Sequence, residues 1–561
     1  MAYNAAMVDT VPNTAGVDGT GKVEPRWWIP SVFGITVLAV LVVTTFFIQI
    51  KADDIWWHLK TGEYILNFLS LPNENIFSFT APDHEWLPHE WLSEVVFFWL
   101  YDKLGPRGLI AFGILLNALA CGLVFKLTVR YSRSPYVTSL ITFLAALMML
   151  GNFSLRPYLF GNLFFVCTLH AMEEPAAGGK LRPVLIFLLF AGWANFHGSF
   201  MIGLALILLY IAASVTSRMF GGRLAPGGKK KDGTKEARPK ALAKSKSFLL
   251  DFGVALAACI VTPNHVFGLI FPLTYVQKAF SGEINYLTNI SEWQPAGFST
   301  PLGQMITFYL MFCGFALMGS RRSPKPVHIG LLVAFATFAF TSIRNIPLLG
   351  IAATPVLARH LPHTFGRTWR AITRRGKFTD ALNIFHRRIT ALDKRSKGIL
   401  LPILGIILLL GIFIMPPSSP FSYSAMTRVE HLHDLSPGFY PRGVLDDIAE
   451  RGGNHRIFNY FNWGGAFIWR LYPQERVFID QRNDCYPIEV FRDYFAVHRL
   501  ERDWSAVLDR WNIDFVAYPV DSRVTKALEK DPGWKAVYTD HQAALYSRVA
   551  QETAVDKVAT R

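Results

Sequence analysis

The chain has 561 residues, 51% of them hydrophobic, 14% aromatic and only 17% charged, well below the roughly 25% charged residues of a soluble domain. That balance excludes an ordinary soluble enzyme and points to an integral membrane protein. The 56 Lys+Arg against 41 Asp+Glu leave a formal charge of +15, and the placement of that charge decides between a nucleic-acid partner and membrane topology.

Residues 1–28 are small and polar and read as a disordered cytoplasmic N-terminus. Lys22 and Arg26 then precede an apolar run from Trp27 to Ile50, long enough for a signal anchor that stays in the membrane. Residues 29–415 read as an α-helical polytopic membrane domain of about eleven spans. The spans fall near 30–50, 108–128, 136–151, 158–172, 183–196, 199–217, 248–262, 303–319, 327–343, 345–358 and 398–415.

With the N-terminus in the cytoplasm, the basic clusters all fall on inner loops. Residues 218–247 hold ten Lys/Arg and two acids, and 359–397 hold eleven and two, which together exceed the whole surplus. The charge is therefore topogenic and faces anionic lipid, with the bilayer rather than nucleic acid as the partner. The first loop, rich in Gly, Pro and Ser, reads as a disordered linker. The second, with Trp369, Ile372 and Phe385 interleaved, reads as an interfacial helix. The outer loops 51–107 and 263–302 are neutral to acidic, and the expected location is the plasma (inner) membrane with the C-terminal unit outside.

Residues 416–550 read as an extracytoplasmic α/β domain, with a tail at 551–561. Arg456–Tyr460, Val477–Asp480, Phe515–Val520 and Lys535–Thr539 are strand-like, and Pro487–His498 and Trp504–Trp511 are helix-like. Residues 416–561 carry 18 Lys/Arg and 20 Asp/Glu, so this unit is close to neutral. Four of the five cysteines lie in apolar runs and Cys485 stands alone in the tail, which gives neither a disulfide framework nor a CxxC site. Phosphate-binding glycine loops, Ser/His/Asp arrangements and HExxH are absent from the sequence.

The first outer loop carries the strongest chemical signal. Asp53 and Asp54 stand at the outer end of the first span, followed by Trp56, Trp57 and His58, a turn at Leu71-Pro72-Asn73 and an amphipathic stretch from Glu90 to Leu104. Asp54-Ile55-Trp56-Trp57-His58 resembles the first-loop motif of the oligosaccharyltransferase catalytic subunit, in which an Asp is followed at the fourth position by His or Asn across two aromatics. The pair Asp53-Asp54 also resembles the acidic pair of protein mannosyltransferases and lipid A aminoarabinose transferases. All belong to the GT-C glycosyltransferases, membrane enzymes that use polyprenyl-phosphate-linked sugars.

Two further segments are similar to the same family. Ile290-Ser291-Glu292-Trp293-Gln294-Pro295 resembles its Ser-x-Ser-Glu-His-Gln-Pro element. Asn459–Ile468 followed by Arg476–Asp480 resembles its Trp-Trp-Asp-Tyr-Gly element and downstream acidic strand. Two departures matter: Trp463 stands where that element has its acid, and residues 151–161 have no carboxylate where the family has a second metal-binding acidic pair. The resemblance therefore implies neither an Asn-x-Ser/Thr acceptor nor an assigned metal, although a divalent ion is the cofactor such enzymes use.

What the resemblance implies is a GT-C-like fold and transfer of a sugar, with inversion, from a polyprenyl-phosphate-linked donor to an envelope glycan, lipid or protein. Asp54 is the candidate base, supported by Asp53 or Glu292. His58, Arg344, Arg156, His197, Trp463 and Asp480 are candidate substrate-binding residues. Arg344, in Ile343-Arg344-Asn345, is the expected partner of the lipid phosphate, because a cation must steady that leaving group. His197 follows Asn195-Phe196 and reads equally as site wall or helix packing. A transporter or flippase of lipid-linked glycans and a catalytically silent GT-C-like scaffold remain the alternatives; the first would place acids deep in the spans and show inverted repeats.

Overall fold

The computed structural model describes residues 54–132, 134–150, 154–174, 179–220, 234–281, 293–372 and 440–549, together with the isolated positions 31, 35, 36, 39 and 407. Asp53, Glu292, the spans expected near 30–50 and 398–415 and the terminal tail lie outside the described residues.

The membrane part is built from α1 (Ile55–Phe68), α2 (Trp91–Val129), α3 (Pro135–Leu150), α4 (Tyr158–Glu173), α5 (Arg182–Phe196) and α6 (Phe200–Phe220). It continues with α7 (Thr234–Ala258), α8 (His265–Ser281), α9 (Pro301–Gly319), α10 (Pro326–Thr341), α11 (Ile346–Ala352) and α12 (Thr354–Ile372). Among the described residues three helices are long and apolar enough to cross a membrane, within Trp91–Val129, Phe200–Ser217 and Pro301–Gly319. Shorter apolar helices accompany them at Val137–Leu150, His265–Thr274, Pro326–Thr341 and Ile343–Ala352. The chain is a multi-pass membrane protein.

One sequence expectation is corrected here. The basic segment 218–247, read as a disordered linker, is helical from Thr234 onward as the start of α7. Its Lys, Ala, Glu and Leu are strong helix formers, and solvated charge does not oppose a helix.

Polar pairs tie the helices together inside the bundle. Arg182 of α5 forms a buried ion pair with Asp251 of α7, Nη2 to Oδ2 at 2.7 Å. At the far end of α2 from its first residues, buried Glu173 of α4 accepts from Tyr131 and Tyr210 and pairs with Lys325 and His328. Both clusters give a buried charge its required partner.

Helix α2 breaks at Gly105, whose φ of 66° is outside the helical region, just before Pro106. The break separates an N-terminal arm, Trp91–Leu104, from the rest of the helix. That arm packs against α1 so closely that Gly62 of α1 touches its backbone: a Cβ on Gly62 would stand 2.1 Å from the Glu94 carbonyl oxygen and 2.8 Å from the Phe98 Cβ. Gly62→Ala must push the two helices apart. It should cost about 1–3 kcal/mol as an overpacked contact, read as a lower thermal midpoint of the purified full-length protein.

The C-terminal domain comprises α13 (Arg442–Arg451), β1 (Arg456–Asn459), α14 (Gly464–Leu471), β2 (Arg476–Val477), α15 (Ile488–His498), α16 (Trp504–Arg510), β3 (Phe515–Pro519), α17 (Arg523–Leu528), β4 (Trp534–Thr539) and β5 (Ala543–Arg548). Its sheet runs β2-β1-β3-β5-β4. β1 is parallel to both β2 and β3, whereas β5 is antiparallel to β3 and β4. Central β3, Phe-Val-Ala-Tyr-Pro, is buried along four of its five residues, as expected of a strand covered on both faces.

This domain shares one hydrophobic core with α1, the first arm of α2 and the loop between them: Trp56, Phe77, Trp86 and Phe97 pack in the same cluster as Trp463, Phe478 and Tyr494. Backbone bonds seal the joint. Phe79 N–H donates to the Val477 carbonyl at 3.2 Å and Val477 N–H donates to the Phe77 carbonyl at 3.0 Å, so the loop before α2 lies along the β2 edge and covers it.

Candidate active site

Asp54 is the residue from which α1 starts, but its side chain makes no capping bond to that helix. The carboxylate turns instead to Arg156, whose Nη2 lies 2.9 Å from Oδ2. Arg156 comes from the short segment before α4, so two sequence-distant candidates meet. The positive end of α1 also favours a negative charge at this position.

One turn along α1, His58 is buried to 2% exposure. Its Nδ1 is 3.2 Å from Glu94 Oε1, and its Nε2 is 3.9 Å from Glu90 Oε2. Glu90 precedes α2 and is the hub of the cluster. His197 Nε2 lies 3.1 Å from its Oε1 and His89 Nε2 3.8 Å from the same oxygen. Arg156 and Arg344 both act on Glu90 electrostatically, which places the two candidate cations around one carboxylate.

The tautomer of His197 follows from its neighbours. Ser199 N–H, which can only donate, gives its proton to His197 Nδ1 at 3.1 Å. Nδ1 is therefore bare, and Nε2, 3.1 Å from Glu90 Oε1, carries the hydrogen. His197 ends α5 with an extended backbone, φ −165° and ψ 139°, which swings the ring out of the helix toward Glu90.

Arg344 sits in a short 3-10 turn, Ile343–Asn345, with its guanidinium 4.7 Å from the Trp293 ring centroid. The Trp293 segment is fixed there by two backbone bonds: Ala296 N–H donates to the Phe340 carbonyl and Ile343 N–H to the Gln294 carbonyl, each at 3.2 Å. The fold thus brings the expected phosphate-binding Arg beside the residue that follows Glu292.

Trp463 and Asp480 lie within the C-terminal domain. Trp463 is 1% exposed and packs in the shared core. Asp480 is fully buried and holds Arg482, Nη2 to Oδ2 at 2.7 Å, while also accepting from Tyr486. Each was expected at a substrate; each is buried among protein groups.

The sequence reading did not single out Glu90, Glu94 or His89. Glu90 and Glu94 are four residues apart, a spacing that puts like charges on one helix face and is unfavourable unless the site demands it. That spacing was the available signal. Among the described residues no group of three or more His, Cys, Asp or Glu is arranged to hold a metal ion.

Burial sets the protonation of this cluster, which lies outside the spanning segments. It pushes the Glu90 carboxyl up, against the opposing pull of His89 and Arg344. It holds His58 well below the usual imidazole value, helped by Arg156. His197 is likewise held well below, with Arg344 adding to burial. Between those depressed values and about 6.5, the unfolded chain binds protons on these two histidines that the folded chain does not. Their contribution to stability is therefore present above the unfolded value and is lost as pH falls toward the folded one. Glu90 acts in the opposite sense, costing stability as pH rises above its unfolded value of about 4.5 toward its raised one. Acidification from pH 7 to 5 should lower the thermal midpoint of wild type more than that of His197→Gln, which keeps a donor for Glu90 but cannot titrate. Parallel midpoint curves would remove His197 from the acid-sensitive set.

No family model matches the chain, and no curated protein matches it. Among solved structures it is similar to the archaeal oligosaccharyltransferase AglB from Archaeoglobus fulgidus in complex with an inhibitory peptide and a dolichol-phosphate, at 12% identity and a TM-score of 0.47, over 93% of this chain and 75% of that one. It is also similar to the Archaeoglobus fulgidus oligosaccharyltransferase tethered to an acceptor peptide containing the NVT sequon, at 13% identity and a TM-score of 0.47, over 91% of this chain and 74% of that one.

Proposed function

We propose that the chain is a GT-C-type membrane glycosyltransferase that moves a sugar from a polyprenyl-phosphate-linked donor to an envelope glycan, lipid or protein on the outer face of the membrane. In this reading the N-terminus is cytoplasmic, about eleven spans cross the bilayer, and the C-terminal domain stands outside over the site.

The observation that carries the reading is the Asp54–Arg156 pair, 2.9 Å apart, beside a Glu90 carboxylate that also feels Arg344. This supplies an ion-paired base and cation, with a second cation within electrostatic reach of Glu90. Transfer needs both kinds of group. Asp54 takes the proton from the acceptor O–H or N–H, and the freed lone pair attacks the anomeric carbon from the face opposite the phosphate. The bond from that carbon to the phosphate oxygen breaks, its electron pair leaves on the phosphate, and the configuration inverts. Arg156 and Arg344 steady the charge that develops there. Asp53 and Glu292 support Asp54, and His58 and His197 orient Glu90 beside it.

The test is the full-length protein in nanodiscs, given a polyprenyl phosphate carrying a radiolabelled sugar and a delipidated cell-envelope fraction as acceptor. Label should leave the lipid for the acceptor as polyprenyl phosphate is released. In sealed vesicles, label that crosses the bilayer while still attached to its lipid, with no transfer, would overturn the reading in favour of a transporter.

A further inference from the structure

The end of the helical bundle away from the candidate site carries a second concentration of charge. Arg156 precedes α4 and Arg344 follows α10, so the opposite ends of those helices, at Glu173 and Lys325, mark that far end. Three acids there are already engaged. Glu173 pairs with Lys325 and His328, Glu174 with Arg130 and Asp251 with Arg182.

Cations are left over. Arg359, His363 and Arg367 stand at four-residue steps along α12, a spacing that sets them on one face. Arg359 is half-buried and the other two are exposed. Arg321 and Arg322, exposed in the loop after α9, reach the same place. Thr364 Oγ1 of α12 donates to the Ala316 carbonyl of α9 at 2.7 Å, and a Cβ on Gly319, the last residue of α9, would stand 2.2 Å from Thr364 Cγ2. The loop therefore leaves α9 beside Thr364, and Arg322 and Arg359 both act electrostatically on His360 and His363. Among the described residues Arg321, Arg322, Arg359 and Arg367 form no ion pair, and Arg359 Nε has no hydrogen-bond partner. Like charges gathered on one accessible face repel one another, so an anion seated among them is favoured.

The depth of the patch selects the anion. Phe365 of α12 packs with Phe312 and Phe315 of α9, ring centroids 6.4 and 6.3 Å apart, and Phe315 and Met318 are exposed. Because α9 is long and apolar enough to cross a membrane, these side chains meet lipid tails, and the arginines that follow at once stand at headgroup level. A guanidinium fork matches a phosphodiester bidentately, and a zwitterionic headgroup would bring its own positive charge into the patch. In the topology proposed above this end faces the cytoplasm, where the leaflet is anionic. We propose that Arg322, Arg359, His363 and Arg367 form a seat for the phosphodiester of one anionic phospholipid, its acyl chains lying along Phe315 and Met318. The lipid is a structural partner of the joint between α9 and α12, separate from the lipid-linked donor at the other end, and the inference goes beyond the glycosyl-transfer reading.

The test is native mass spectrometry of the full-length protein in a neutral detergent, titrated separately with phosphatidylglycerol, phosphatidylcholine and glycerol 3-phosphate. One phosphatidylglycerol should bind more tightly than those that follow, and phosphatidylcholine should show no such step. Arg322→Gln and Arg359→Gln should each weaken that first step about fivefold, the scale of one basic residue at an anionic surface. The triple variant Lys229→Gln/Lys230→Gln/Lys231→Gln, which removes three charges from the basic stretch 218–247, should leave it unchanged. Arg322 is exposed, so its variant reports on binding even if Arg359→Gln fails to fold. Equal binding of phosphatidylcholine, an unchanged first step in Arg322→Gln, or the same loss in the lysine variant would overturn the seat. Displacement of phosphatidylglycerol by equimolar glycerol 3-phosphate would overturn it as well, in favour of a free-phosphate site. A protein without transferase activity that keeps the phosphatidylglycerol step would remove the enzyme reading and leave the seat standing.

Discussion

Arg482→Met should loosen the packing of the C-terminal domain on α1, the first arm of α2 and the loop between them by about 3–5 kcal/mol, the cost of removing one partner of a buried ion pair and leaving the other charged and alone. Asp480 would then be wholly buried with only Tyr486 and the Arg482 backbone N–H, at 2.8 Å, to meet its charge. The aromatic contacts with Phe77 and Trp86 and the bond to Asn75 would be lost as well. These are the contacts that join residues some four hundred positions apart. In a chain of several units no single unfolding free energy describes this loss, so the readout is local: amide hydrogen exchange in residues 72–88 and 476–486 should rise together. The double variant Asp480→Leu/Arg482→Met should recover much of the protection, because it removes both charges. Unchanged exchange in the single variant would show that the pair does not hold the joint.

The legibility of this chain divides along sequence distance. Asp54 and His58 stand four residues apart on one turn of α1, so a contiguous motif displayed them. The C-terminal elements were readable because short apolar runs end at turn residues: the strand-like stretch at 515–520 is β3 at Phe515–Pro519, and the helix-like stretch at 487–498 is α15 at Ile488–His498. β5 escaped, since Ala543–Arg548 opens on two alanines, which are weak strand formers, and shows little alternation. Glu90 escaped for a different reason. Its partners His58, His197 and Arg344 come from three other segments, and no local pattern encodes their meeting. Asp480 shows the converse. Its stretch is strand-like in the sequence, but the ion pair with Arg482 and the bond from Tyr486 are visible only in the fold. In the stretch 218–247 the helix from Thr234 onward was hidden by its charge, although Ala, Lys and Glu in α7 form helix irrespective of that charge.

Asp54→Asn should lower turnover by about 10²–10⁴-fold, the range of a positioned general base, equivalent to about 2.7–5.4 kcal/mol of barrier. The substitution is nearly isosteric, so the start of α1 and its packing are kept. Asn can still accept from Arg156 through its carbonyl oxygen, but it cannot take a proton and carries no charge. The two effects separate kinetically. Losing the base reduces kcat. Losing the carboxylate's charge, 2.9 Å from Arg156, leaves that guanidinium uncompensated toward a phosphate, so KM for the lipid donor should hold or fall. Arg156→Gln should show the opposite split, with KM raised because one of the two cations is gone. Single-turnover assays at saturating donor read the first effect and donor titrations the second. Retention of wild-type kcat by Asp54→Asn would move the base assignment to Glu90. Burial raises the affinity of that carboxyl for protons, and it lies 3.1 Å from His197 Nε2, so it is the next group able to take the acceptor proton.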